Sequence, residues 1–236
     1  MWCIPPKQDA RFVAAMEDVL EVYARPYASQ RPLVCLDEGA KQLLAETRQP
    51  LPPVPLRPAE EDQPTKPGRS PRVDYEYERC GTCSLFMLFE PLAGQRFVQL
   101  RERRTAVDYA QVIQWMCDEL YPLADKIVLV QDNLNTHGPH SLYQAFAPEE
   151  ARRLSERIEW HYTPKHGSWL NMAELELSVL GRQCLQQRIP SLQEMQAQVA
   201  AWQQRRNQAA CRVQWHFTTQ EARTKLHKLY PNLLQS

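Results

Sequence analysis

The apolar positions along the chain repeat with two different periods, and the switches between them lay out its elements. Phe12, Val13, Met16, Val19, Leu20 and Tyr23 fall at helical spacing and predict an amphipathic helix over 8–24, ended by Pro26. Pro32-Leu33-Val34-Cys35-Leu36 and Ile127-Val128-Leu129-Val130 are short continuous apolar runs, too short for a helix, and predict strands buried on both faces. Val73 to Arg79, Ser84 to Phe89 and Arg96 to Leu100 read as antiparallel strands, and Gln42 to Ala45 as a short strand after a turn at Gly39. A helix capped by Thr105 or Asp108 runs through Leu120, with Val107, Val112, Trp115 and Met116 inward. Helices near Pro139 to Phe146 and Pro148 to Arg157 precede a strand Ile158 to Tyr162, and long helices fill the remainder. Prolines crowd the stretch from Gln49 to Pro71 and predict an extended insertion without regular structure. Mixed strands followed by helices predict an α/β sandwich on one mixed sheet.

Three places bring acids to the ends of these elements. Asp132 follows the strand Ile127 to Val130, with Asn133 and His137 close behind, and Asp37 and Glu38 follow the strand ending at Leu36. The carboxyl edge of an open α/β sheet is where sites form, although Asp132 read alone would equally serve an Asx turn or a helix cap. The Pro/Gly-broken loop Thr163-Pro164-Lys165-His166-Gly167 leads to a helix whose first turns carry Glu174 and Glu176. Carboxylates gathered from separate elements repel one another unless a cation sits among them, which points to a hard divalent metal. Helical phase does not choose between Glu174 and Glu176, and Glu38 competes with Asp37.

The chain has 236 residues, enough for one sizeable core with an insertion. No apolar run approaches the roughly 20 residues of a membrane span, and the N-terminus lacks a signal-peptide layout, so a cytoplasmic protein is expected. Seven cysteines without framework spacing predict reduced thiols, and the lone pair Cys80/Cys83 lacks the second ligand pair of a zinc site. The 28 basic and 28 acidic residues cancel, yet Arg205, Arg206, Arg212, Arg223, Lys225 and Lys228 make the C-terminal end locally basic.

Together, Leu36-Asp37-Glu38, Gln131-Asp132-Asn133 with His137, and Pro164 through Leu170-Asn171-Met172-Ala173-Glu174 resemble the catalytic domain of a DDE transposase, most closely the insertion-sequence-630 family of the mariner-like superfamily. The resemblance starts at Trp2-Cys3-Ile4-Pro5-Pro6 and covers almost the whole chain; each motif alone would be weak. It implies a ribonuclease H-like fold, with a helical lead-in over 1–30, a catalytic domain over 31–200 interrupted by the loop 49–71, and a basic helical extension over 201–236. It implies that Asp37, Asp132 and Glu174 are catalytic and hold two Mg2+ ions, with Mn2+ as a substitute, bridged by Asp37. Its Asn-x-x-Glu pattern favours Glu174, and Asn133, His137 and Asn171 would support the site.

The partner implied is double-stranded DNA, both element ends and target, bound by a homodimer, with Lys165, His166, Arg205 and Arg206 on phosphate. For a bacterial protein that means the cytoplasm, on the nucleoid when DNA-bound, and no membrane. The helix-turn-helix part that such transposases place before the catalytic domain is expected to be missing, because one helix is too little for it. A ribonuclease H-like nuclease that cuts without joining, or a DNA-binding remnant without catalysis, are the rival readings.

Overall fold

A computed structural model describes residues 7–56, 67–70 and 72–231; the expected start of the resemblance at Trp2–Pro6 lies outside them. Five strands form one sheet in the order β3-β2-β1-β4-β5. They are β1 (Leu33–Glu46), β2 (Tyr77–Glu90), β3 (Gln95–Arg101), β4 (Ile127–Gln131) and β5 (Ile158–Tyr162). The first three are antiparallel, whereas β4 runs parallel to both β1 and β5. This is the mixed α/β, ribonuclease H-like arrangement that the sequence led us to expect.

Alternation along the central strands explains why both faces are covered. Leu33 and Cys35 of β1 and Val128 and Val130 of β4 join one core with helices α1 (Ala10–Tyr23), α5 (Met172–Gln183), α6 (Leu192–Gln208) and α7 (Thr219–Lys225). Val34, Leu36, Ile127 and Leu129 point the other way, into a core shared with α2 (Ala106–Trp115), α3 (Pro139–Ala145) and α4 (Pro148–Glu156). Strands sandwiched in this way have no polar face, which is why their sequences read as unbroken apolar runs.

Local chemistry fixes the ends. The Asp9 carboxylate caps α1 by accepting the N–H groups of Arg11 and Phe12 at 3.0 and 3.1 Å. Thr105 and Asp108 form a reciprocal capping box on α2, which widens into a π-helical turn over Met116–Leu120. Gly94 closes the β2–β3 turn at φ +70°, and a Cβ there would lie 2.8 Å from the Ala210 backbone.

Several expectations need correction. Gly39 does not turn the chain: β1 is a single 14-residue strand paired with β2 from Cys35 to Glu46. The reason is a change of neighbours. Pairing with β4 stops at Leu36, so beyond that point β1 becomes a sheet edge and tolerates polar residues. Likewise, the expected strands around Arg79 and Phe89 are one element, β2, with a register shift opposite Leu43 and Leu44 where Gly81 takes φ +113°. The described part of the Pro-rich insertion carries two isolated antiparallel bridges, Leu51 with Arg72 and Val54 with Arg69. The boundary expected at 200 falls inside α6, and α7 packs on α1 through Arg223 and Glu17 at 2.7 Å. The described cysteines are all free thiols. Among the described residues no helix is long and apolar enough to cross a membrane.

Candidate active site

Because β1 outruns β4, Asp37 and Glu38 stand just beyond the parallel pairing, at the edge where Asp132 leaves β4. Strand alternation sends the two neighbouring acids to opposite sides. Asp37 pairs across the sheet with Met87 and shares the α5 side, whereas Glu38 pairs with Phe86 and faces the α2 side.

Asn171 brings the third element in. It caps α5 by accepting the Ala173 N–H at 3.1 Å, and its amide donates to the Leu36 carbonyl at 2.8 Å, so the start of α5 is tied to the residue before Asp37. The Tyr23 hydroxyl holds the same junction by donating to the Leu170 carbonyl at 2.6 Å. Glu174, in the first turn of α5, is exposed. Burial pushes the Asp37 carboxyl up to about 7; the Glu38 N–H donated to it at 2.8 Å opposes this, while the charges of Asp132 and Glu174 add to the rise. The three acids from three elements therefore share one electrostatic field.

Glu176 has a different task. Its buried carboxylate takes a two-pronged contact from Arg96 at 2.9 and 3.1 Å and a second arginine, Arg206, at 2.8 Å. Arg96 is fully buried on β3 and also donates to the carbonyls of Gly94 and Cys211, both at 2.7 Å. With both oxygens committed to a structural clamp, Glu176 has nothing left to offer a metal. Arg206, expected on phosphate, is likewise occupied by this clamp, while Arg205 is exposed.

His137 is buried between two acids, its Nε2 2.9 Å from Glu38 and its Nδ1 in close charge contact with Asp132. Burial works against its positive form, but Asp132 and Glu38 outweigh it and push the imidazole up to about 9. Tyr109 stacks on the ring at 4.7 Å and donates its hydroxyl to Gln131 at 2.8 Å. Asn133 lies exposed on the loop after Asp132, and Lys165 and His166 are exposed on the loop before α5, His166 at φ +65°.

Among the described residues, no three His, Cys, Asp or Glu side chains are close enough to cage an ion as they stand. The donor set nevertheless suits a hard divalent cation. It is all carboxylate oxygen; Asp37 spends Oδ1 on the Glu38 N–H and Asp132 turns Oδ1 to His137, which leaves the second oxygen of each for an ion. Sequence reading missed the Glu38–His137 pair and the Arg96–Glu176 clamp. The signal for the second was Arg96 placed directly before Phe97 and Val98 in a strand, since a charge that becomes buried demands a partner.

The profile of the family described as "DDE superfamily endonuclease" matches residues 53–196, more than half of the chain. The chain belongs to that DDE superfamily. The match takes in Asp132 and Glu174 and starts beyond Asp37. Two solved structures share the DDE chain's fold. One, "Mos1 transposase paired-end complex with left transposon end", is 14% identical with a TM-score of 0.57, covering 97% of this chain and 66% of that one. The other, "Crystal structure of the Mos1 Strand Transfer Complex", is 14% identical with a TM-score of 0.54, covering 94% and 62%. The chain thus spans less than two thirds of their length. No curated protein matches it in sequence.

Proposed function

We propose that this DDE domain is a transposase catalytic domain of the insertion-sequence-630 type, which cuts the DNA ends of its element and joins them to target DNA. The observation that carries the reading is the Asn171 tie, which brings Glu174 of α5 to the edge occupied by Asp37 and Asp132. Asp37, Asp132 and Glu174 would hold two Mg2+ ions, or Mn2+ in their place. Bound there, divalent cations supply the Lewis acidity that phosphodiester cleavage requires.

The chain's own residues do the positioning. Asn171 fixes the distance between the strand end and the helix, and His137, gripped by Glu38, holds Asp132 in place from behind. The Glu38 N–H orients one oxygen of Asp37, leaving the other free. Tyr109 covers the imidazole and keeps water from its face. DNA is the substrate this arrangement suits, with Lys165 and Arg205 as exposed cations for its phosphates and His166 exposed beside Lys165. A homodimer on DNA is supported by the apolar side chains exposed on the insertion and just after it, among them Leu51, Val54 and Tyr75.

The test is incubation with duplexes carrying candidate element ends, target DNA and Mg2+. Cleaved ends joined to target are expected; nicking alone would replace transposase by nuclease, and no metal-dependent cleavage would defeat both.

A further inference from the structure

Beside the acids lies a cavity of about 390 Å3 lined by Glu38, Arg104, Asn133, Leu134, Asn135 and Thr136. That is within the range of ligand sites. Its lining comes from strand β1 and from the loops that follow β3 and β4. β3 runs antiparallel to β2, so its end at Arg101 lies toward the edge where Asp37 and Asp132 emerge, and Arg104 follows immediately.

The backbone behind Arg104 is fixed. Thr105 donates its N–H to Asp108 at 2.8 Å and receives the Asp108 N–H at 3.3 Å, and one turn on Tyr109 is locked against His137. The side chain itself is free. Among the described residues no carboxylate pairs with the Arg104 guanidinium, whereas Arg101 close by is engaged with Gln99 and Gln111. The one acid on the cavity wall, Glu38, is turned to His137 at 2.9 Å. What remains facing the cavity is one unpaired guanidinium with two carboxamides and a hydroxyl, a donor-rich lining that matches phosphate oxygens.

We infer that Arg104 and the Asn133–Thr136 loop form a subsite for a backbone phosphate of the DNA strand, next to the three acids. The inference rests on the nucleic-acid reading above and adds a positioning residue on a loop outside its metal set. Leu134, exposed, also lines a second cavity of about 500 Å3 with Asn133, Asn135, His137 and His140, so the strand would cross the loop from one cavity to the other.

The experiment compares wild type, Arg104→Ala, Arg104→Lys and Arg103→Ala. Each is titrated by anisotropy with a fluorescein-labelled random-sequence duplex in Ca2+ at several salt concentrations, and cleavage of the same duplex is followed in Mg2+. Arg104→Ala should bind about tenfold more weakly, with a salt slope shallower by about 0.9, the value of one phosphate contact. Arg104→Lys should restore the slope but not all of the affinity, because an ammonium lacks the guanidinium fork. Arg103→Ala, whose side chain does not line the cavity, should change the slope less. An unchanged slope for Arg104→Ala would overturn the inference, as would equal losses in Arg103→Ala and Arg104→Ala, which would mean diffuse attraction only. Cleavage by wild type together with unaltered binding by Arg104→Ala defeats this subsite alone. Arg104-dependent binding by a wild type that cleaves neither this duplex nor one carrying element ends in Mg2+ supports the subsite and defeats the nuclease reading.

Discussion

The side-chain amide of Asn171 donates to the main-chain carbonyl of Leu36 at 2.8 Å, joining the start of α5 to the last β1 residue paired with β4. The same side chain caps α5. Asn171→Ser keeps a capping oxygen but is too short to make the tie. Thermal unfolding should therefore show a loss of about 1–3 kcal/mol, the cost of leaving a buried acceptor unmet. Cleavage should fall further than this stability loss accounts for, since Glu174 would no longer be held to Asp37. Equal cleavage per folded molecule would show that the tie serves only the fold.

Glu174 and Glu176 should separate cleanly. Glu174→Gln changes an exposed carboxylate and is expected to leave the melting temperature nearly unchanged while abolishing cleavage, as Asp37→Asn and Asp132→Asn should. Members of one site act as a unit, so double variants should be no worse than single ones. Glu176→Gln leaves Arg96 buried with only carbonyl partners and a neutral amide, and should cost about 3–5 kcal/mol. Retained cleavage by Glu174→Gln would remove it from the metal set.

How much of this was legible depends on whether a feature is local. The strands Ile127–Gln131 and Ile158–Tyr162 and the helix α1 could be read from periodicity, because burial on a defined face leaves a regular imprint. The continuity of β1 through Gly39 could not. It depends on β2, which supplies hydrogen bonds from more than forty residues downstream and overrides the local turn signal. The choice between Glu174 and Glu176 was equally non-local. Helical phase placed both near the edge of the apolar stripe, and the difference lies with Arg96 on β3 and Arg206 on α6.

Cation binding gives a readout independent of catalysis. Mg2+ or Mn2+ should raise the melting temperature, because an ion that binds only the folded state adds stability by mass action. The rise should vanish in Asp37→Asn and in Asp132→Asn and should persist in Glu46→Gln, whose carboxylate pairs with Arg188. An identical rise in Asp37→Asn would mean that the ion binds elsewhere.

Glu159 provides a pH signature. Burial alone would raise its carboxyl, but Arg25, His161 and Arg31 outweigh it and hold the group down at about 2. Arg25 lies at 2.7 Å and His161 at 3.0 Å, and His161 also meets Asp18 at 2.7 Å. A depressed carboxylate contributes stability above its unfolded value near 4.5 and loses it as pH falls toward 2. The gap in melting temperature between wild type and Glu159→Gln should thus be widest above about pH 5, narrow on acidification, and shrink in high salt because both arginines are half-exposed. A gap independent of pH would assign the effect to packing.

The described ends of the Pro-rich insertion and the residues after it expose apolar side chains. Its base is rigid: Arg188 donates to Glu46 at 2.6 Å and to the Glu76 carbonyl at 2.8 Å, and lies over the Tyr77 ring. Beyond that base, Leu51, Val54, Leu56, Val73 and Tyr75 stand in solvent, Tyr75 being 85% exposed. Exposed apolar side chains at the insertion's described ends mark an interaction surface, and the proposed homodimer supplies an occupant. The combined variant Leu51→Ser, Val54→Ser and Tyr75→Ser should weaken self-association at least about tenfold by sedimentation, roughly 1.4 kcal/mol, while leaving the melting temperature of the dilute monomer unchanged. A wild-type chain that stays monomeric at high concentration, with and without duplex DNA, would show that the insertion does not join two copies.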